Sequence, residues 1–175
     1  MIITLGGHPL SGKGTVGRLL AAQLSYTYWN GGERMRAEAA KRGMSLSAFN
    51  EFMRAHPEID RALDAEQKEA ATKPNSVVDG RVAYYVAPHS YKIFLDVNPN
   101  EAARRLMLAH RAQEQVVNEA DALVEITQRR EQETKRFLAV YGTDPHDKAN
   151  FDLAIDTTAL TPEQVVEKIL AALPK

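Results

Sequence analysis

The chain has 175 residues, of which 44% are apolar and 26% charged, with a formal net charge of −1 and no cysteine. That length suits one buried core, so a single domain over 1–175 is expected. The near-neutral charge excludes a global nucleic-acid or membrane footprint, and the lack of Cys excludes disulfides, zinc–thiolate sites and cysteine nucleophiles, which fits a reducing cytoplasm.

Residues 2–6, Ile-Ile-Thr-Leu-Gly, read as a short buried strand. No basic segment precedes them and no run approaches the roughly 18 apolar residues of a membrane span, so neither a secretion signal nor an anchor is expected. The Gly-rich stretch from Gly7 to Thr15, GHPLSGKGT, follows at once. A helix is expected over 15–25, with Val16, Leu19, Leu20 and Leu24 on one side. Residues 26–29 form a short aromatic strand candidate. Gly31-Gly32 then break the chain before a helix that runs to about Arg42 and stops at Gly43. Ser45 is placed to cap a helix carrying Leu46, Phe49, Phe52 and Met53. Pro57 suits the first turn of the next, which runs through Ile59, Leu63 and Gln67. Residues 76–79 read as a second buried strand closed by Gly80, and 91–97 as a third, ended by Asn98-Pro99. Helices follow over about 100–113 and about 119–141. A last strand spans 153–156, and Thr161-Pro162-Glu163 opens a closing helix with Val165, Val166, Ile169 and Leu170 inward. Alternating strands and helices imply a parallel sheet covered on both faces, with ligands outside the carboxyl ends of the strands. The loop after the first strand, Gly80-Arg81 and Asn98 therefore converge on one edge.

Gly7–Gly12–Lys13 has the G-x-x-x-x-G-K spacing of a phosphate-binding P-loop, set between a strand and a helix. Glycines let backbone N–H groups turn toward phosphate oxygens, the helix start adds partial positive charge, and Lys13 adds a full one. The chain is thus expected to bind a nucleoside triphosphate. The usual pattern puts Ser or Thr directly after the Lys to ligate magnesium. Here Gly14 intervenes and the hydroxyl moves to Thr15, so a Mg²⁺ ion is expected to be held by phosphates and water, with no metal site of the protein's own. His8 is expected to be exposed and incidental. A second set of cations lies downstream. Arg36 follows Gly32 by four residues, Arg81 follows Asp79-Gly80, and Arg129, Glu133 and Arg136 share a helix face. Planar guanidiniums at a strand-end crevice hold phosphate bidentately. Asp79 is placed to order metal-bound water or to orient Lys13. Arg130 falls on another face and reads as structural.

The GKGT sequence with Pro9 resembles the loop of nucleoside monophosphate kinases. The stretch 31–64, with RGMSL, its Phe residues and PEID, resembles the short archaeal-type cytidylate kinases. The match continues through VVDGR at 77–81, RREQETKRFLAVYG at 129–142 and FDLAIDTTALTPEQVVEKIL, and covers nearly the whole chain. The resemblance implies a three-layer α/β P-loop kinase fold. Its parallel sheet would have about five strands, with a helical acceptor-binding region at about 31–72 and a lid at about 111–119. It implies transfer of the ATP γ-phosphoryl group to CMP or dCMP by a cytoplasmic monomer that binds neither nucleic acid nor membrane. ATP would meet Gly7, His8, Pro9, Leu10, Ser11, Gly12, Lys13, Gly14 and Thr15, with Arg111 and Thr157. The acceptor would meet Gly32, Arg36, Asp60, Arg81, Arg129 and Glu133. Lys13, Asp79, Arg81, Arg129 and Arg136 would carry the chemistry. Asp60 or the nearby Asp64 is suited to accept from the exocyclic amine of cytosine. Tyr84 and Tyr85 are candidates to stack on a base, whereas Trp29 reads as core. Leu10 departs from the family loop, standing where a third Gly is usual. Two other readings remain open: a P-loop kinase acting on another monophosphate or a small hydroxyl-bearing metabolite, and a nucleotide-binding module without catalysis.

Overall fold

Five short strands make one fully parallel sheet in the order β2-β3-β1-β4-β5: β1 (Ile2–Gly7), β2 (Thr27–Asn30), β3 (Ser76–Asp79), β4 (Tyr91–Asp96) and β5 (Leu153–Asp156). The computed structural model describes residues 1–109 and 118–174, apart from the side chains of Ser47, Arg54, Pro57 and Asp60. β1 is central, with Leu5 beside Asp79 of β3 and Ile93 of β4. Ile3, Thr4 and Leu5 are all fully buried, as expected for a strand covered on both faces. The one polar member, Thr4, is satisfied by the Ser90 hydroxyl at 2.9 Å.

On one face, α1 (Lys13–Leu24) and α8 (Pro162–Ala172) cover Ile3, Leu5, Val77, Ile93 and Leu95 with Val16, Leu20, Val165, Val166 and Ile169. α6 (Pro99–Leu108) and α7 (Glu119–Tyr141) pack on each other, Ala102, Ala103 and Leu106 against Ala122 and Ile126, with Val97, just past β4, in the same cluster. Three helices, α2 (Gly31–Lys41), α3 (Leu46–Ala55) and α4 (Pro57–Ala70), close over a small core of their own around Ala39, Phe49 and Met53. Among the described residues, no helix is long and apolar enough to cross a membrane.

Several boundaries depart from the sequence reading. The first helix starts two residues early, at Lys13. The aromatic strand is shifted by one, so that Asn30 ends β2 and also caps α2, its Oδ1 accepting from Glu33 N at 2.9 Å. α6 stops at Leu108, short of residue 113. Its buried stripe ends with Leu106, and Leu108 is already 62% exposed; residues 110–113 of the expected helix lie outside the described residues. A four-residue helix, α5 (Ala83–Val86), was not anticipated. It is too short to show a period.

Candidate active site

The loop after β1 owes its shape to two glycines and one strained leucine. Gly7 has φ 126°, and a Cβ there would lie 2.1 Å from Leu95 O, so only Gly lets the chain turn off the sheet over β4. Gly12 caps α1 at φ 88° without a side-chain hydrogen bond, and no acidic residue lies in the first turn. The N–H groups and positive dipole end of α1 are therefore not answered by any carboxylate of the helix's own first turn. Leu10 adopts φ 61°, a left-handed conformation disfavoured for a branched residue. Its side chain packs on the α6–α7 cluster, and its carbonyl accepts from Arg105 Nη1 at 3.2 Å. Lys13 folds back along the loop, donating to Gly7 O at 2.8 Å and His8 O at 2.6 Å. Burial pulls its ammonium well below the ordinary lysine range, an effect Arg81 reinforces and Asp79 and Glu133 oppose.

Facing this loop across an open cleft of about 300 Å³ stands a wall built from β3, α2 and α7. Glu133 accepts from Arg81 Nε at 2.7 Å and Nη2 at 3.1 Å, and from Arg129 Nε at 3.3 Å. Burial alone would raise the Glu133 carboxyl, but Arg81, His146 and Arg129 hold it well below the usual carboxylate range. Asp79, at the end of β3, is 5% exposed, and burial raises its carboxyl against the pull of Lys13 and Arg81. The Tyr28 hydroxyl lies 3.2 Å from Asp79 Oδ2 and 3.3 Å from Gly14 O, and accepts from Asn30 Nδ2 at 2.7 Å. Arg36 and Arg136 line the same cleft. Gly32 leaves room for Arg36, because a Cβ there would meet its Nη1 at 3.3 Å. The chemical content is a Gly-rich loop with one lysine, opposite several arginines, the buried Asp79 carboxylate and the largely buried Glu133 carboxylate. Among the described residues, no group of three or more His, Asp or Glu side chains is arranged to hold a metal.

Of the residues singled out from sequence, Pro9, Leu10, Gly12, Lys13, Gly14, Thr15, Gly32, Arg36, Asp79, Arg81, Arg129, Glu133 and Arg136 come together around this cleft. Arg111 and the Asp60 side chain lie outside the described residues, as does most of the lid segment. Thr157 is 1% exposed, its hydroxyl within bonding distance of Asp96 O at 2.8 Å and Ser11 O at 3.1 Å, so it braces the loop from behind. His8 corrects the expectation of an exposed, incidental residue. Its side chain is 16% exposed, packed edge-on against Phe94 and 4.5 Å, ring to ring, from His146. His146, from the segment after α7, folds back onto His8 and covers it. Tyr84 is also withdrawn, its hydroxyl 2.8 Å from Thr143 Oγ1, and neither it nor the 52% exposed Tyr85 borders the cleft. Trp29, read as core, does border it. Arg130 donates to Val97 O at 2.9 Å, a structural tie.

Sequence reasoning gave no site role to Tyr28, Asn30, His146 or Gln67, the last read only as a position of its helix, and all lie at or beside the cleft. Only Asn30, an Asn before Gly-Gly at a strand end, carried a local signal, that of a helix cap.

The sequence profile of the cytidylate kinase-like family matches residues 2–159. A cytidylate kinase of Pyrococcus abyssi is 36% identical over 174 residues, covering 99% of this chain and 93% of that protein. One of Thermococcus kodakarensis is 35% identical over 174 residues, covering 99% and 88%. Among solved structures, a shikimate kinase of Bacteroides thetaiotaomicron superimposes with a TM-score of 0.63 over 99% of both chains at 19% identity, a likeness of fold alone. With the strand order, the loop and the cationic wall, these matches show that the chain belongs to the cytidylate kinase-like family and is a phosphotransferase with a P-loop kinase fold.

Proposed function

We propose that the protein transfers the γ-phosphoryl group of ATP to CMP or dCMP. The observation that carries this reading is the doubling of cationic sites. Lys13 and the loop suit one phosphate chain, and Arg81, Arg129 and Arg36 face them across the same cleft. A hydroxyl acceptor needs a base and one binding site, whereas a phosphate acceptor needs a second cationic site and no base. The archaeal relatives named as cytidylate kinases support the choice of acceptor.

In this reading, Lys13 exchanges the Gly7 and His8 carbonyls for β- and γ-phosphate oxygens as the triphosphate enters. Glu133 holds the Nε–Nη2 edge of Arg81, which leaves the Nη1 donors for the acceptor phosphate. An oxygen of that phosphate, already anionic at pH 7, attacks the γ-phosphorus. The bond from the γ-phosphorus to the bridging oxygen breaks, and ADP leaves with the electron pair. Charge spreads over the transferring group, and the fixed cations stabilise it there. Asp79 fits the small role a protein carboxylate takes toward Mg²⁺, which keeps several waters and binds mainly through substrate phosphates. Bound there, the ion would neutralise charge on the β- and γ-phosphates.

The test is an ADP-release assay with ATP and a panel of CMP, dCMP, UMP and AMP. Lys13→Ala and Arg81→Ala are each expected to lower kcat by about 100-fold or more. Near wild-type rates in both would rule the mechanism out.

A further inference from the structure

α4 presents an unanswered amide to the acceptor half of the cleft. Gln67 lines it at 5% exposure, and its Nε2 has no hydrogen-bond partner among the described residues. The carboxamide is wedged against the backbone of β3's exit, since a Cβ on Gly80 would lie 2.2 Å from Gln67 Oε1. Buried amides are normally paired, so a donor left open in a cleft points to a ligand acceptor. Asp64, one turn earlier on the same helix face, lines the cleft too and accepts from the Tyr141 hydroxyl. A carboxylate offers about four lone-pair sites, so one phenol does not exhaust it. Met35, Leu46 and Leu63 give the surrounding cleft apolar walls suited to a flat ring.

We infer that Gln67 and Asp64 together read the Watson–Crick edge of the acceptor base and select bases whose edge sets an exocyclic amine beside an unprotonated ring nitrogen. Asp64 accepts from the amine, and Gln67 Nε2 donates to the adjacent ring nitrogen. Cytosine and adenine present that donor–acceptor order. Uracil and guanine present the reverse, a carbonyl beside a ring N–H, which sets the carbonyl against the Asp64 carboxylate and the N–H against the Gln67 donor. Sites built to hydrogen-bond a substrate group reject an analogue with the wrong pattern strongly, because their own polar groups are then left unpaired. The inference rests on the reading that the cleft takes a nucleoside monophosphate, and it assigns the residues that discriminate among them.

The experiment measures kcat/KM for CMP, AMP, UMP and GMP in the wild type, in Gln67→Met and in Asp64→Asn. The wild type is expected to favour CMP over UMP by about 100-fold or more. Gln67→Met fills the same space without a donor, and Asp64→Asn can turn a donor toward a carbonyl. Each is expected to cut the CMP:UMP ratio at least about tenfold through the KM for the monophosphate, with the KM for ATP unmoved. A merely structural role would slow all four substrates alike and leave the ratio intact, which overturns the inference, as does a wild type that favours UMP or GMP. A wild type that turns over no monophosphate overturns the functional reading and the inference with it. An active wild type with unchanged ratios in the variants overturns only the inference. If Gln67→Met does not fold, Asp64→Asn, at a half-buried position, decides by itself.

Discussion

Leu10 sits where a glycine would be relaxed. A left-handed conformation costs an L-residue about 1–2 kcal/mol, and Leu10 holds it at φ 61° because its side chain is packed on the α6–α7 cluster and its carbonyl is held by Arg105. Two substitutions separate these effects. Leu10→Ala discards the packing and keeps the strain, whereas Leu10→Gly discards both. Leu10→Gly is therefore expected to be the more stable of the two by about 1 kcal/mol, read as a difference in urea midpoints at constant slope. Equal stabilities would show that the backbone is not strained there. That Leu10 departs from the family loop was visible in sequence. That it is supported from below was not, because its partners lie on helices about ninety residues downstream. His8 was misread for the same reason: a loop position between Gly7 and Pro9 suggests exposure, and nothing local announces that His146 will close over it.

At the scale of elements, α7 supplies Arg129 and Arg136 to the cationic wall beside Arg36 and Arg81, and one acid organises it. Arg129, Glu133 and Arg136 lie on one helix face, as their spacing requires, and so this part of the site was legible from sequence. The pairing of Glu133 with Arg81 was not legible, since it joins α7 to the exit of β3 across 52 residues. It makes Glu133 the countercharge for two guanidiniums. Removing it leaves two largely buried cations facing each other, so Glu133→Ala is expected to cost about 3 kcal/mol in urea unfolding. Inorganic phosphate should restore part of that loss, because it can occupy the same place between Arg81 and Arg129. A loss below about 1 kcal/mol, or one insensitive to phosphate, would mean that the carboxylate is not their main support. Gln67 and Tyr28 were equally illegible, because their meaning comes from Gly80 and Asp79, brought beside them by the sheet.

Across the whole molecule, the strand order puts the nucleotide loop beside the point where the connections leaving the neighbouring strands β1 and β4 run to opposite sides, which is where parallel sheets open a crevice. The parallel sheet and the convergence of its strand ends on one edge followed from alternating strands and helices ended by Gly and Pro; the strand order did not. The same packing makes global stability depend on pH through His8. Burial, then the nearby Arg130 and His146, push its imidazole down to about 3. In the unfolded chain it would titrate near 6.5. Between those values the unfolded state binds the extra proton, so stability falls as pH drops below about 6.5 and its loss is complete near 3. Glu133, with its depressed carboxyl, adds a loss of the same sign only from the ordinary carboxylate range downward. Melting temperatures at pH 7.5 and 5.5 thus isolate the histidine: wild type is expected to lose more across that interval than His8→Gln. Parallel curves would remove His8 from the account.

The parallel order also sets a schedule for synthesis. Of the five strands β1 is made first, yet it lies in the middle of the sheet, and its two neighbours do not exist until Ser76–Asp79 and Tyr91–Asp96 have been made. At about 5–20 residues per second, a nascent chain carries Ile2, Ile3 and Leu5 unpaired for several seconds. The segment that later anchors nucleotide binding is therefore the one most in need of shelter during translation.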